Sequence, residues 1–381
     1  MDFAKSDLQT LMLDGAERLL AEHSGVEYWR AMRDGPEGFG RERWRQFAEL
    51  GWLALPLPET AGGLAGSLED VALLNVALGR ALATEPYVST VVLCGHILGG
   101  GDEGLSLPLL GAIAEGQLRL ALAHQENGRD SLTLDGLATT AQRRGDGYIL
   151  NGSKIMVLDA PSADKLVVSA AMPGEEGTAL MMVDCDAPGV TLDRYALIDG
   201  TRAADITFHE VVLAGDAMIT GGNRGTALLG EAIDRATIAL LAQAVGSMEA
   251  CLKLCGDYAK ERKQFGVAIA SFQAIQHMLA DMFVAAHQAR SMLYHALAHA
   301  GEDAALRAAA LSAARLVIGE AGQLLSRNGI QIHGGYGLTD EYAISHHYRR
   351  QMTLEKLYGD LERHTRRFGD SLFEAEGATG P

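Results

Sequence analysis

The 381 residues exceed the roughly 250–300 at which one hydrophobic core stops growing, so two or three packed units are expected. Hydrophobic residues make up 48% and charged residues 21%, which excludes the composition of a disordered chain. A formal net charge of -17 excludes broad attraction to nucleic acid or anionic lipid, although a few arginines or a helix N-terminus suffice for a small anionic ligand.

Met1 to Asp7 shows no basic segment leading into an apolar run, and no stretch approaches about 20 uninterrupted apolar residues, so neither a secretory signal nor a membrane span is expected and the expected location is cytoplasmic. Up to about Leu118 the apolar residues recur at helical spacing, as at Trp44, Phe47, Leu50 and Leu53, around a glycine-rich turn at Ala61 to Gly66. No strand precedes those glycines, so a nucleotide loop is excluded and a turn between helices is expected. From 119 to 221 short β-type runs take over: Tyr148 to Leu150, an expected hairpin turn at Asn151-Gly152, Lys154 to Val157, Leu166 to Val168, Leu180 to Val183 and Ile206 to Phe208. This middle segment reads as a small all-β barrel or sandwich. From 222 to 381 long helices return, with an apolar stripe at Phe272, Ile275, Leu279, Met282 and Ala286, and oligomerisation through such helices is expected. Glu374 to Pro381 read as a loose tail. Cys94, Cys185, Cys251 and Cys255 are too scattered for a disulfide framework. Cys251 and Cys255 lack companions at metal-ligand spacing, so buried thiols and no metal site are expected.

The fold class is therefore α+β multidomain: an N-terminal helical domain (1–118), a central β domain (119–221) and a C-terminal helical bundle (222–381). Within that order, four blocks resemble the flavin-dependent acyl-CoA dehydrogenase family. They are Phe47 to Pro56 with Pro58-Glu59 and Gly62-Gly63; Tyr258 to Gly266 with Ser271 to His277 and Leu279 to Met282; Gln331 to Gly337 with Glu341-Tyr342 and Arg349; and Asp199 to Arg202 running into Ile206 to Val212. The resemblance implies FAD as cofactor, an acyl-CoA substrate, an electron-transfer flavoprotein as redox partner and a dimeric or tetrameric homo- or hetero-oligomer, in fatty acid or steroid catabolism. It also implies that Arg262 and Gln273, with Gln264, Phe265 and Phe272, meet FAD partly across a subunit interface. Gln331, Gly334 and Gly335 would approach the diphosphate, where glycine keeps a Cβ out of the way. Arg262 suits phosphate because its fork matches two oxygens, and its ordinary alternative is a helix-surface ion pair. His333 beside the turn is expected to be a packing residue.

Where the family carries Thr-Glu-Pro and Gly-Ser-Asp over the flavin, this chain has His124 to Asp130. Gln125 and Gly128 remain as cofactor candidates, and Arg129 is placed to meet a CoA phosphate. The family's Trp-x-Thr strand is here Met156-Val157-Leu158, so Met156 and Leu158 would face the flavin. Asp234, Arg235 and Thr237 fall where the family contacts the thioester or CoA, and Tyr358 and Gly359 fall on the substrate loop. Abstraction of an α-proton from a thioester requires a carboxylate, yet the family's two glutamate positions fall on Tyr358 and Ala236. Tyrosine, with a reference pKa near 10, is a poor base. Two readings follow. Glu355, Asp360 or Glu231 acts as a displaced base, or the chain is the base-free half of a heteromeric dehydrogenase, active or silent by itself. An oxidase or monooxygenase of the same fold is a third reading.

Overall fold

The computed structural model describes residues 5–22 and 25–377, and Met1 to Ala4 lie outside them. Among the described residues the α-helices α1 (Asp7–Glu22), α2 (Val26–Asp34), α3 (Arg41–Glu49), α4 (Leu68–Arg80), α5 (Gly95–Gly99) and α6 (Glu103–Ala114) come first. Eight strands follow: β1 (Leu120–Ala123), β2 (Thr140–Arg144), β3 (Gly147–Leu158), β4 (Lys165–Ala170), β5 (Ala179–Asp184), β6 (Val190–Ala196), β7 (Arg202–Leu213) and β8 (Met218–Thr220). The chain then forms α7 (Gly222–Glu261), the short hairpin β9 (Lys263–Gln264) and β10 (Val267–Ala268), α8 (Gln273–Ala298), α9 (Ala304–His333), α10 (Ala343–Lys356) and α11 (Leu361–Gly377). This is the helical, β, helical order expected. By compactness the chain divides into two units, one joining residues up to Ala31 with Ala72–Ala83 and everything from Thr237, the other Met32–Val71 with Thr84–Ala236.

In the second unit two four-stranded sheets, ordered β1-β4-β5-β8 and β2-β3-β7-β6, enclose one core. Alternate residues point inward, with Leu166, Val168, Met181 and Val183 from one sheet meeting Leu150, Ile206, Phe208 and Val211 from the other. The expected turn at Asn151-Gly152 is not a turn. β3 runs straight through it, and the register against β7 slips there by a bulge. Asn151 Nδ2 donates to Glu210 Oε1 at 2.8 Å and Glu210 N to Asn151 Oδ1 at 2.8 Å, so the asparagine pairs across strands. Gly152 has a φ of 141°, and a Cβ there would lie 2.6 Å from Thr139 Cα, so glycine serves close strand approach. The chain reverses instead between β2 and β3, at Gly145 with a φ of 60°.

Helical periodicity also overran its elements. Trp44, Phe47 and Leu53 are buried, but α3 ends at Glu49 and Leu50 is 49% exposed. In α8 the stripe is buried at Met282 and Ala286 but only half-buried at Phe272, Ile275 and Leu279. At the tail α11 continues through Gly377, so Glu374 to Gly377 are helical rather than loose, while Ala378 to Pro381 lie outside the described residues. α7 is long and apolar enough to cross a membrane, yet 72% of its most apolar window is buried within the protein, as befits a core helix. Cys94, Cys251 and Cys255 are free and buried.

Two buried histidines give the fold an acid-sensitive element. Burial pushes His347 down to about 3, with the charges of Arg350 and His346 adding to the effect. Burial likewise pushes His124 down to about 4, helped by Lys154. Both stay neutral when folded, whereas an unfolded histidine protonates near 6.5. Stability is therefore full above about pH 6.5 and declines below it, because the unfolded chain gains protons that the folded one refuses. Between pH 7 and pH 5 each site is expected to cost about 2 kcal/mol. Urea unfolding at the two pH values measures the drop, and His347→Asn should reduce it by about 2 kcal/mol. An undiminished drop in that variant would refute the assignment.

Candidate functional site

In the first unit, α7 delivers Arg262 into the β9–β10 hairpin. Its two turn residues, Phe265 and Gly266, have φ values of 52° and 82°, as a type I′ turn requires. The turn thrusts Phe265 outward to 93% exposure, edge-on to Phe272 at 6.2 Å between ring centroids. Nearby, α9 ends at Gly334, whose φ of 61° stops the helix and turns the Gly334–Leu338 segment back. Together these elements wall a cavity of ≈ 760 Å³. Seven of the residues expected to bind cofactor line it: Arg262, Gln264, Phe265, Phe272, Gln331, Gly334 and Gly335. Gln273 does not; it stands exposed in the first turn of α8. Among the described residues Arg262 has no ion-pair partner, and a Cβ built on Gly334 or Gly335 meets nothing within 4 Å. A free guanidinium beside two bare glycine backbones is the donor set a phosphate group needs, so the cavity fits the diphosphate of a dinucleotide.

His333 closes the back of this cavity. Its Nδ1 donates to Gly329 O at 2.8 Å, and its ring packs 4.3 Å from Tyr258 and 4.8 Å from Tyr342. Burial lowers its pKa, so the ring is a neutral packing element.

The loop between α10 and α11 carries Tyr358 and Gly359, both left-handed with φ values of 53° and 92°. Arg315, buried on α9, holds this shape. Its Nη2 donates to Leu354 O at 2.7 Å, Gly359 O at 3.2 Å and Leu357 O. His364 Nε2 donates to Tyr358 O at 3.0 Å, while its Nδ1 accepts from Ser312 Oγ at 3.1 Å. The neighbouring carboxylates are engaged. Asp360 Oδ1 caps α11 by accepting from Arg363 N at 3.0 Å, and Lys356 lies 3.7 Å away. That backbone bond, with Lys356, lowers the Asp360 pKa and weakens it as a base. Glu355 sits 3.2 Å from Lys356 Nζ and accepts from Leu361 N at 3.4 Å. Thr237, the first residue of α7 in this unit, is buried.

In the second unit, β1 runs out into His124, Gln125 and Glu126. Ile155 N donates to Gln125 O at 2.8 Å, which lays Gln125 beside β3 just before Met156. Met156 occupies a bulge with a φ of 51°, its N–H capped by Asp205 Oδ1 at 2.9 Å, and Leu158 returns to the β7 ladder opposite Ala203. Gly128 and Arg129 are exposed, with Arg129 Nε 3.5 Å from Glu126 Oε2. Asp234 is buried and Arg235 half-buried on α7. Glu231 is 48% exposed on its side chain and lies 3.4 Å from His96 Nε2. Of the three candidate bases, Glu355 and Asp360 thus share the first unit and Glu231 belongs to the second. Lys154, Arg315 and His364 carried no motif and were missed. The one visible signal was a lysine at a position where the strand alternation of β3 demands an inward side chain.

Three family models match the chain end to end: the acyl-CoA dehydrogenase N-terminal domain over residues 6–117, the middle domain over 120–213 and the C-terminal domain over 223–373. The caffeyl-CoA reductase-Etf complex subunit CarC of Acetobacterium woodii is 30% identical over 360 residues, covering 91% of this chain and 89% of that one. Among solved structures, the ChsE4-ChsE5 complex from Mycobacterium tuberculosis superposes with a TM-score of 0.89 at 25% identity, covering all of both chains. A variant of the Tcur3481-Tcur3483 steroid ACAD superposes with a TM-score of 0.87 at 29% identity, covering 98% of this chain and 99% of that one. With its three domains matched in order and its motif residues gathered around one cavity, the chain belongs to the acyl-CoA dehydrogenase family.

Proposed function

We propose that the chain is the base-lacking subunit of a heteromeric, FAD-dependent acyl-CoA dehydrogenase that forms an α,β double bond in a CoA thioester and delivers electrons to an electron-transfer flavoprotein. One observation carries this reading: Arg262, Gly334 and Gly335 line one phosphate-fitting cavity, while the loop where the family holds its base presents Tyr358 flanked by occupied carboxylates. The relatives accord with it. CarC is named as a subunit of an Etf complex, and ChsE4-ChsE5 is named as a complex.

FAD supplies the oxidant when bound. The chain's own residues do the rest. Arg262 would meet the diphosphate with a two-pronged fork, and Gly334 and Gly335 would let the backbone approach the same oxygens. Phe265, too exposed to be stable uncovered, would be covered by cofactor or by a neighbouring subunit, with Phe272 as its edge support. Gln264, Gln331 and Gln273 would offer amides along the cofactor, Gln273 from a facing subunit. Gln125, Gly128, Met156 and Leu158 would wall the flavin ring. Arg129, Asp234, Arg235, Thr237 and Gly359 would contact CoA and thioester, while Tyr358, which carries no carboxylate, shapes the pocket without taking a proton.

The visible spectrum of the purified chain, recorded anaerobically with and without an acyl-CoA, tests the proposal. Flavin that the chain binds but that bleaches only when a sister chain carrying a glutamate is co-purified is the expected result. Bleaching by this chain alone overturns the shared-base reading, and acceptor-free oxygen consumption would assign an oxidase instead.

A further inference from the structure

Lys154 is a fully buried ammonium in the middle of a β-sheet core. Such a charge is costly unless every N–H is met. Here three acceptors meet the three donors: Glu126 Oε1 at 2.8 Å, His124 O at 3.1 Å and Ser169 Oγ at 3.2 Å. Glu126 in turn accepts from Ala138 N at 2.7 Å and Thr139 N at 2.9 Å, and Ser169 Oγ meets His124 Nδ1 at 2.9 Å. One ammonium on β3 thereby ties together the exit of β1, the end of β4 and the approach to β2. Burial alone would raise the Glu126 carboxyl, but the bonds from Lys154, Ala138 and Thr139 prevail and hold it well below the usual carboxylate range. The pair is ionised and fixed.

The position of this tie matters. On the residue after Lys154, Ile155 N donates to Gln125 O, and on the next, Met156 enters the left-handed bulge. Gln125 and Met156 are two of the residues assigned above to the flavin wall. We infer that Lys154 is a positioning residue: it registers the His124–Glu126 segment against the β3 bulge, so that Gln125 and Met156 are set in place before any ring arrives. An apolar side chain at 154 would fill the space but supply none of the three donors that align the segment. The inference rests on the proposed function only for the identity of the ring, since the registration belongs to the chain itself.

Hydrogen exchange of the full-length chain resolves the question amide by amide, with Lys154→Met and with Lys154→Met/Glu126→Gln, which removes both charges together. In both variants the Ile155 amide should exchange at least about tenfold faster, while the Val167 and Met182 amides of the β4–β5 pairing stay within about twofold of the parent. The double variant should recover the parent's unfolding midpoint, because no unpaired charge is left buried. Retained protection at Ile155 overturns the inference. So does equal acceleration of all strands in the double variant, or its failure to fold, since either makes Lys154 a support for the whole sheet. In protein titrated with FAD, the dissociation constant of the double variant should rise about tenfold or more. A parent that binds no FAD refutes the proposed function and leaves the exchange result standing.

Discussion

Tyr358→Glu is expected to increase acyl-CoA-dependent reduction of bound flavin by this chain alone by about 10²–10⁴-fold, the range a positioned general base contributes. The backbone at 358 is already set. Its φ of 53° is imposed by the loop, and its carbonyl is held by His364 Nε2 at 3.0 Å. Glutamate enters the left-handed region no less readily than tyrosine, so the substitution leaves the loop as it is and changes only the group presented. Tyr358→Gln has similar size without the charge and should give no increase. Glu355→Gln and Asp360→Asn should leave the chain's own background rate within about twofold, because those carboxylates serve Lys356, Leu361 and the N-terminus of α11. Anaerobic stopped-flow bleaching of the flavin band measures all four variants. If Tyr358→Glu shows no gain while flavin and acyl-CoA both still bind, the missing base does not belong at 358.

How much of this was legible in the sequence depended on whether the determining interactions were local. The long helices of the C-terminal segment follow from helical spacing and the strands β4, β5 and β7 from short β-type runs between turn signals, and Arg262, Gln331 and Gly334 were singled out because a motif keeps them together in the chain. The Asn151-Gly152 hairpin was a sound local reading overruled from a distance. Glu210, 59 positions away, captures the asparagine, and Thr139 leaves no room for a Cβ at 152. Leu50 shows the opposite limit, an apolar residue in perfect register with a helix that had already ended. Lys154 and Arg315 were invisible as site residues for the same reason. Their acceptors lie 15 to 30 and 39 to 44 positions away, so the alternation of β3 could mark Lys154 as inward without naming its partners, and nothing local marked Arg315. The occupied state of Glu355 and Asp360 also required coordinates. On the sequence they were candidates for a displaced base, and in the fold they hold a lysine and a helix end.

Arg315→Ala should show the largest loss of stability among the site variants, about 3–5 kcal/mol, because three carbonyls lose the buried charged donor that serves them. The guanidinium is 2% exposed and serves three carbonyls, those of Leu354, Leu357 and Gly359. The last turn of α10 would otherwise leave its carbonyls without partners, each orphan costing about 1–3 kcal/mol when buried. Against this stands the cost of burying the guanidinium itself, which lowers the Arg315 pKa to about 10, and an Nε that finds no acceptor. The net effect therefore falls below the sum of three orphans. Arg315→Lys keeps the charge but offers an ammonium in place of the planar fork, so it should recover only part of the loss. Urea midpoints for the three proteins measure this ordering. The functional consequence is more specific than instability: without the clamp, the left-handed pair at Tyr358 and Gly359 loses its restraint. Arg315→Ala/Tyr358→Glu should then forfeit most of the rate gained by Tyr358→Glu, even at a temperature where the double variant is fully folded. Retention of that gain would mean that the loop keeps its shape without Arg315 and that the clamp serves the fold alone.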